Sequence, residues 1–469
     1  MKSRKHNILS WLYNLLSRHF SKDAVNDYEF ANMEDAIENW LDIYYDKPLW
    51  LKKCHGKTLN LGASIASEFA RLIMIEFESE ITGSERAEFL NTQYHKLINS
   101  LRINLEEACA VGGIVFKPYV RNGIIVPDFI TQDKFLPLEY NSEEISSALF
   151  LARKIKGGKY YYRLEKQSYN YDTRTHTVDS RFFCSSSADD IGTEIGSNDV
   201  FKGIQPYYSI SNVDKPLFSF WRVPSANNIE DDNPLGVSVY SKAVKLMAEA
   251  DKQWDRYLWE FKGGELAVHA SESLLRQVDS DGKITKCAPT TRDRLFQSFK
   301  TVVKQNVEDM YKVFNPALRD ESYARGLDKI FRRIEFACSL AYGTISDPQN
   351  VDKTAEEVKY SKQRSFAAVS DMQTSLQTVL ENYIYAINAY ASACKLAPEG
   401  TYETQFNWGD GVLEDREKET QIRMQEVNSN IVDKVEYLKW RYSVTDNQAS
   451  EMMPKNTGIV DFFHDEEGG

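Results

Sequence analysis

Carboxylates close together in sequence are the first candidates for metal binding or acid–base work. Two groups stand out, Glu230-Asp231-Asp232 and Asp410 with Glu414 and Asp415. Both precede expected helices, where acidic side chains are favoured by the positive end of the helix dipole. A solvated turn accounts for the first group just as simply. Three consecutive tyrosines, Tyr160-Tyr161-Tyr162, could stack on nucleobases. In a strand, however, Tyr160 and Tyr162 share one face and Tyr161 takes the other, so sheet packing explains them better. Lys329 and Arg333 lie four residues apart on one helical face, which could meet a phosphate backbone or only water.

The familiar signatures of catalysis are missing. There is no GxxxxGK[ST] phosphate loop, no GxGxxG after a strand, no GxSxG elbow and no HExxH pair. The six cysteines (54, 109, 184, 287, 338 and 394) form no CxxC, and no zinc spacing is present. They read as small core residues in a reducing compartment. No catalytic residue, metal ligand or cofactor is therefore expected.

The elements that would hold these residues are many. A chain of 469 residues is too long for one core, and roughly three domains are the prior. Hydrophobic content of 42% with 27% charged residues excludes global disorder. No run approaches the roughly 18 apolar residues of a membrane span. The net charge of −12 argues against a protein that grips nucleic acid over most of its surface. That charge is uneven: residues 1–22 carry five cations and no acid, leaving the remainder at −17.

Ile8, Leu9, Trp11, Leu12, Leu15, Leu16 and Phe20 form one face of an N-terminal helix. Ser10 and Asn14 interrupt it, and Ser17-Arg18-His19 is no cleavage site, so it reads as a helix docked on protein within an arm, 1–26. Residues 27–110 read as helical, with helices over 63–78 and 89–111 and a stop at Gly112-Gly113. Strands follow. Asn122-Gly123 marks a hairpin between 114–120 and 124–129, and Gly157-Gly158 separates strands 148–155 and 160–164. A further strand spans 177–184, and the polar stretch 185–203 reads as a mobile loop. Residues 27–235 thus form one α+β domain.

A helix is expected from about 236 to 262, with the stripe Val237, Tyr240, Val244, Met247, Trp254, Leu258 and Phe261. Residues 263–322 form a mixed insert, with a strand near 266–268, a turn at Asp281-Gly282 and a helix over 293–314. A second straight helix, 323–342, carries Leu327, Phe331, Ile334 and Cys338 on its stripe. A loop, 343–353, leads into Thr354-Ala355-Glu356-Glu357, a capping box that opens a helix of about 40 residues, 354–394. A connecting loop (395–412), a heavily charged helical segment (413–442) and, after Met453, an acidic tail (454–469) follow.

Four strings, in this order and spacing, resemble the portal proteins of tailed double-stranded-DNA bacteriophages, in the branch of long-tailed phages of Gram-positive bacteria. They are Glu107 to Tyr119; Phe220 to Pro224 with Asn227-Asn228 and Asn233 to Ser238; Lys353 to Val358; and Phe406 to Gly411. The last departs from the family pattern, with Gly409 in place of a second aspartate. The resemblance covers roughly 25–450.

The resemblance implies a helix-rich α+β portal fold assembled as a ring, commonly of twelve copies, at one capsid vertex of the virion. It implies a wing (27–235), stem helices (236–262 and 323–342), a clip (263–322), a tunnel loop (343–353), a long wing-crossing helix (354–394) and a crown (413–453). Such a ring carries DNA in and out, docks the terminase, and later holds the head-completion adaptor. Major capsid and scaffolding proteins are further implied partners, assembly is expected in the host cytoplasm, and no membrane or enzymatic activity is implied. Ser346, Asp347, Gln349, Asn350 and Lys353 would line the channel at the tunnel loop, and Lys329 and Arg333 along the stem. Leu327, Phe331 and Ile334 would face protein. A conduit must not hold DNA tightly, because each ion pair opposes sliding, and the acidic balance agrees. Closed ring neighbours would cover the long apolar stripes. The competing readings are a generic helical scaffold or adaptor of a virion, and a nucleic-acid-processing enzyme, for which no carboxylate cluster on a packed site is legible.

Overall fold

The computed structural model describes residues 8–20, 30–141, 144–188, 190–196, 200–265, 267–271, 276–278, 280–286, 296–299, 311–347, 355–409, 416–429, 431–442, 449 and 452–453. Two compact units emerge, 1–408 and 409–469.

The first unit opens with α1 (Ile8–His19), α2 (Ala31–Tyr44) and α3 (Leu61–Met74). Leu9, Leu12, Leu15 and Leu16 of α1 are buried, as are Ile37, Trp40 and Ile43 of α2. The amphipathic helix of the N-terminal arm therefore docks on its own chain: Trp11 meets Tyr162 edge-on at 6.1 Å, and the backbone N–H of Ser10 donates to Glu34.

Residues 75–83 correct the expectation of an unbroken helix to Glu78. α3 stops at Met74, Ile75 is extended, and Glu76 takes a positive φ of 59°. A strand, β1 (Glu78–Gly83), follows, and then α4 (Glu85–Val111), whose Leu90, Tyr94, Leu97, Leu101 and Leu105 are fully buried. Gly112 ends α4 at φ 106°.

Next come β2 (Gly113–Arg121) and β3 (Ile124–Thr131), paired antiparallel with Arg121 opposite Ile124. Asn122 and Gly123 both have positive φ, 52° and 75°, which a two-residue hairpin turn of this hand requires. β4 (Phe135–Tyr140), β5 (Ile145–Lys156), β6 (Lys159–Asn170), β7 (Thr175–Ser185) and β8 (Thr193–Ile195) form an antiparallel sheet in that order. β9 (Tyr207–Ser211) also pairs with β7, and β10 (Ser219–Arg222) pairs with β2. The expected mobile loop 185–203 is corrected in part. β8 adds to the sheet edge, and Ile191 and Phe201 are buried. Tyr162 is buried and its hydroxyl donates to the Ala188 carbonyl, so the tyrosine run packs a sheet.

Helix α5 (Val244–Gly263) starts later than the expected residue 236. In the insert, β11 (Ala267–Ser271) precedes the hairpin β12 (Arg276–Val278) and β13 (Ile284–Lys286), with Gly282 at φ 78° in the turn. β14 (Phe296–Phe299) runs parallel to β11, and β15 (Tyr311–Phe314) runs antiparallel to it. At 296–299 and 311–314 these two strands correct the helix expected over 293–314, while 293–295 and 300–310 lie outside the described residues. The aromatic spacing there suits a helix, but pairing on both sides of β11 decides the outcome.

Helix α6 (Asp320–Ala337) follows, then α7 (Ala355–Ala393), 39 residues and so roughly 58 Å long. From Val369 onward, Met372, Leu376, Val379, Tyr383, Ile387 and Tyr390 of α7 are buried at three- and four-residue steps. Arg86 on α4 is fully buried and grips the far end of α7, donating to the Asn388 side chain and carbonyl, the Ser392 hydroxyl and the Ala397 carbonyl. The expected loop 395–412 contains β16 (Tyr402–Asn407), which pairs antiparallel with β1, Glu78 opposite Asn407. In the second unit, the charged segment splits into α8 (Arg416–Asn428) and α9 (Lys434–Tyr442). Among the described residues, no helix is long and apolar enough to cross a membrane.

Candidate nucleic-acid interface

The helix expected to carry the DNA-facing cations Lys329 and Arg333 is α6, which packs against α5. Residues 236–243 do not join α5 because their backbone groups bond elsewhere. The Gly236 N–H donates to the Gln132 side chain, whose amide returns a hydrogen bond of 2.9 Å to the Gly236 carbonyl. The Val239 N–H donates to the Cys109 carbonyl. Gly112 and Gly236 touch backbone to backbone there, and a Cβ on Gly236 would lie 2.0 Å from the Gly112 oxygen.

Asp251 ties α5 to residues 50–59. Its carboxylate accepts from the Trp50 indole at 2.8 Å and from the Leu59 N–H at 2.9 Å. Burial pushes this carboxyl above its ordinary value, against the pull of those two hydrogen bonds. At the far ends of the pair, Arg319 forks onto Glu260 with a 2.8 Å contact, joining the end of α5 to the start of α6.

On α6, Leu327 and Ile334 are buried and Phe331 is half-buried against the same core, so the three share an inward stripe. Lys329 and Arg333 lie on the opposite, exposed face. Between them, Arg332 turns to Asp328 at 2.9 Å. Among the described residues, neither Lys329 nor Arg333 takes an ion-pair partner.

The helix expected to run to Tyr342 ends at Ala337. Ser339 adopts φ 60°, its N–H donates to the Phe336 carbonyl, and the Leu340 N–H reaches back to Glu335. This is a left-handed C-terminal cap, made here without glycine. The Glu335 side chain then organises the turn beyond α6. Fully buried, it accepts N–H groups from Gly343 at 3.0 Å, Ile345 at 2.7 Å and Ser346 at 2.9 Å, and the Ser346 hydroxyl at 2.9 Å. Arg364 of α7 clamps the other side, donating to the Leu340 carbonyl and lying 4.5 Å over the Phe336 ring.

These contacts correct the expectation for Ser346. It is 3% exposed and turned onto Glu335, so its hydroxyl is not offered to DNA in this arrangement. Asp347 is exposed, with its N–H on Asp328 at 3.1 Å. Gln349, Asn350 and Lys353, and Thr354 of the expected capping box, lie outside the described residues. Glu335 and Arg364 are the organising residues that sequence reasoning missed. The available signal was a carboxylate beside Ile334 on an otherwise apolar stripe.

The acidic triplet is a turn: Glu230 accepts from the Asn233 side chain at 2.8 Å, and Asp232 sits at φ 54°. Asp410, Glu414 and Asp415 lie outside the described residues. Among the described residues, no group of three or more histidines, cysteines or carboxylates could hold a metal ion.

A straight helix pair enclosing a strand insert, then a tight capped turn, then a 39-residue helix is the order seen in the sequence resemblance. The family model for phage portal proteins, SPP1 Gp6-like, matches residues 75–456. The chain belongs to the phage portal protein family. The matched span runs from the start of β1 past α9, while α1 to α3 precede it. The portal protein is thus a structural component of the capsid vertex that provides the channel for DNA, and the family is non-enzymatic. Among curated proteins, no match was found.

Proposed function

We propose that this portal protein closes into a ring of about twelve copies, with α5 and α6 as the stem and the turn after α6 as the base of a tunnel loop. Residues 27–235 act as wing, the β11–β15 insert as clip, α7 as the wing-crossing helix and 413–453 as crown. The clip docks the terminase and later the head-completion adaptor, and capsid and scaffolding proteins meet the ring during assembly in the host cytoplasm. The observation that carries this reading is the exposed Lys329–Arg333 face of α6 opposite its buried stripe. Such a face offers DNA transient contacts and no fixed site, which suits sliding. The Glu335 turn ties residues 343–346 to the end of α6, which suits the base of a tunnel loop. Asp347→Lys adds one cation per subunit beside the channel. It is expected to slow packaging, more at low salt where screening is weak, with ring images unchanged. Normal packaging rates in low salt by an assembled Asp347→Lys ring overturn the placement.

A further inference from the structure

Away from the stem, one end of the large sheet gathers cations. Lys154 and Lys156 lie on the same face of β5, about 7 Å apart along the strand. Lys159 stands directly opposite Lys156, and Tyr161 opposite Lys154. The β2–β3 hairpin adds Arg121, whose Nε donates to the Lys202 carbonyl at 3.1 Å, bringing Lys202 alongside. Lys154 lies 5.7 Å over the ring of buried Phe201, which fixes the 201–202 segment against the strand. Lys154, Lys156, Lys159 and Lys202 are all exposed, and among the described residues none takes an ion-pair partner. The acid closest in effect, Asp128, is held by Lys117 at 3.1 Å and by Arg163. Partial burial, followed by the neighbouring Arg121 and Arg163 charges, lowers the affinity of Lys154 for its proton. Like charges are therefore crowded here in a chain whose net charge is −12.

Crowded cations without acids are costly to a free surface and are relieved by a polyanion. The opposite face of this sheet is already covered, since α1 packs there through Trp11 on Tyr162 and His19 on Phe183. We propose that the face formed by Arg121, Lys154, Lys156, Lys159 and Lys202 is a second DNA-contact surface, outside the channel, that binds the phosphate backbone of duplex DNA without reading sequence. The proposal rests on the reading of the chain as a DNA-handling portal, but not on ring closure or on the stem. DNA is favoured over an acidic protein because the site gathers five cations from four segments, and among the described residues none of them takes an ion-pair partner. Such a pattern suits a regular line of phosphates.

A nicked circular duplex tests this, because a closed circle cannot thread a closed ring and so reports only outer surfaces. Full-length protein is titrated with the circle from 0.05 to 0.3 M salt. The variant Lys154→Gln/Lys156→Gln/Lys159→Gln is expected to bind on the order of a hundredfold more weakly near 0.1 M salt, and to lower the salt slope by about three. Its melting temperature should match the parent. Lys52→Gln/Lys53→Gln, exposed cations outside this face, should bind the circle as the parent does; packaging of linear DNA reports on the channel and circle binding on this surface, so the two failures are separable. In the unmodified protein, the circle should protect Lys154, Lys156 and Lys159 from acetylation, which keeps the test alive if the triple variant misfolds. Unchanged binding and salt slope in the folded variant overturn the proposal. So do unprotected lysines, or protection by polyglutamate but not by DNA.

Discussion

Ser346 donates its hydroxyl to Glu335 across 2.9 Å, while the N–H groups of Ser346, Ile345 and Gly343 converge on the same carboxylate. One buried side chain thereby replaces the backbone partners that residues beyond the end of α6 have lost. Its removal leaves several buried donors short of an acceptor. Glu335→Ala should therefore cost at least about 1–3 kcal/mol. Hydrogen exchange is expected to accelerate at Gly343, Ile345 and Ser346 first, with α5 and the first turns of α6 unaffected. Unchanged exchange at those three amides contradicts this account of the turn.

The α6 stripe makes a graded prediction. Ile334 is fully buried within the chain, and Ile334→Ala should cost about 2–5 kcal/mol wherever it is measured. Phe331 is only half-buried, so Phe331→Ala should cost less than Ile334→Ala in the dissociated subunit. In an assembled ring the order should narrow or reverse, because a neighbour would cover the remaining ring surface. Urea midpoints of dissociated and assembled protein separate the two cases. If Phe331→Asp leaves ring assembly unchanged, the stripe does not face protein in the ring.

The junction of α4, β2 and the segment before α5 has no room for a methyl group. Gly112 has φ 106°, and a Cβ on it would stand 2.5 Å from the Gly236 oxygen. Gly112→Ala combines a strained backbone with a collision against backbone, which cannot move aside as a flexible side chain could. The expected outcome is a lower yield of folded subunit and a melting temperature several degrees below the parent. Gly123→Ala is the useful contrast. It also has positive φ, but nothing lies within 4 Å, so only the turn preference is lost.

Local chemistry made much of the fold legible. Asn122-Gly123 announced its hairpin because few residues tolerate two positive φ values in succession, and the proline-free run after 354 announced α7. The pairing of β1 with β16 was hidden. Its partners are more than 300 residues apart, and each is too short to betray itself. The insert misled for a related reason: the spacing around Phe296 and Phe299 fits a helix, while β11 supplies the strand partner. At the candidate interface, Lys329 and Arg333 were readable from helical spacing. The fate of Ser346 was not, since it depends on a carboxylate eleven residues earlier folding back beneath it. The basic end of the sheet was equally invisible, because Arg121, Lys154 and Lys202 meet only after three separate segments pack together.

A buried charged network inside the first unit fixes the response to acid. Glu165 accepts from Lys117 at 2.6 Å, from Gln167 at 2.7 Å and from Ser180 at 3.2 Å, with Arg163 alongside. Burial works to raise its carboxyl, but Lys117 and Arg163 outweigh burial and bring it down to about 2. Gln167 in turn meets His176 at 3.0 Å, and the other nitrogen of His176 faces the Leu217 N–H. This places the proton of a neutral imidazole on Nε2. Burial depresses His176 to about 3, from an ordinary value of 6.5. Both groups bind protons more readily in the unfolded chain, so both make stability rise with pH. The His176 contribution is complete above about pH 6.5 and is lost progressively as pH falls towards 3. The Glu165 contribution is complete above about pH 4.5 and is lost as pH falls towards 2. Urea midpoints of the dissociated subunit should therefore decline below about pH 6.5, well before ordinary carboxylates titrate. His176→Gln should flatten the limb between about pH 6.5 and 4.5 and leave the steeper loss below it, although the parent is expected to be more stable at about pH 7. A limb of the same slope in parent and variant would show that His176 takes up its proton in the folded chain as readily as in the unfolded one.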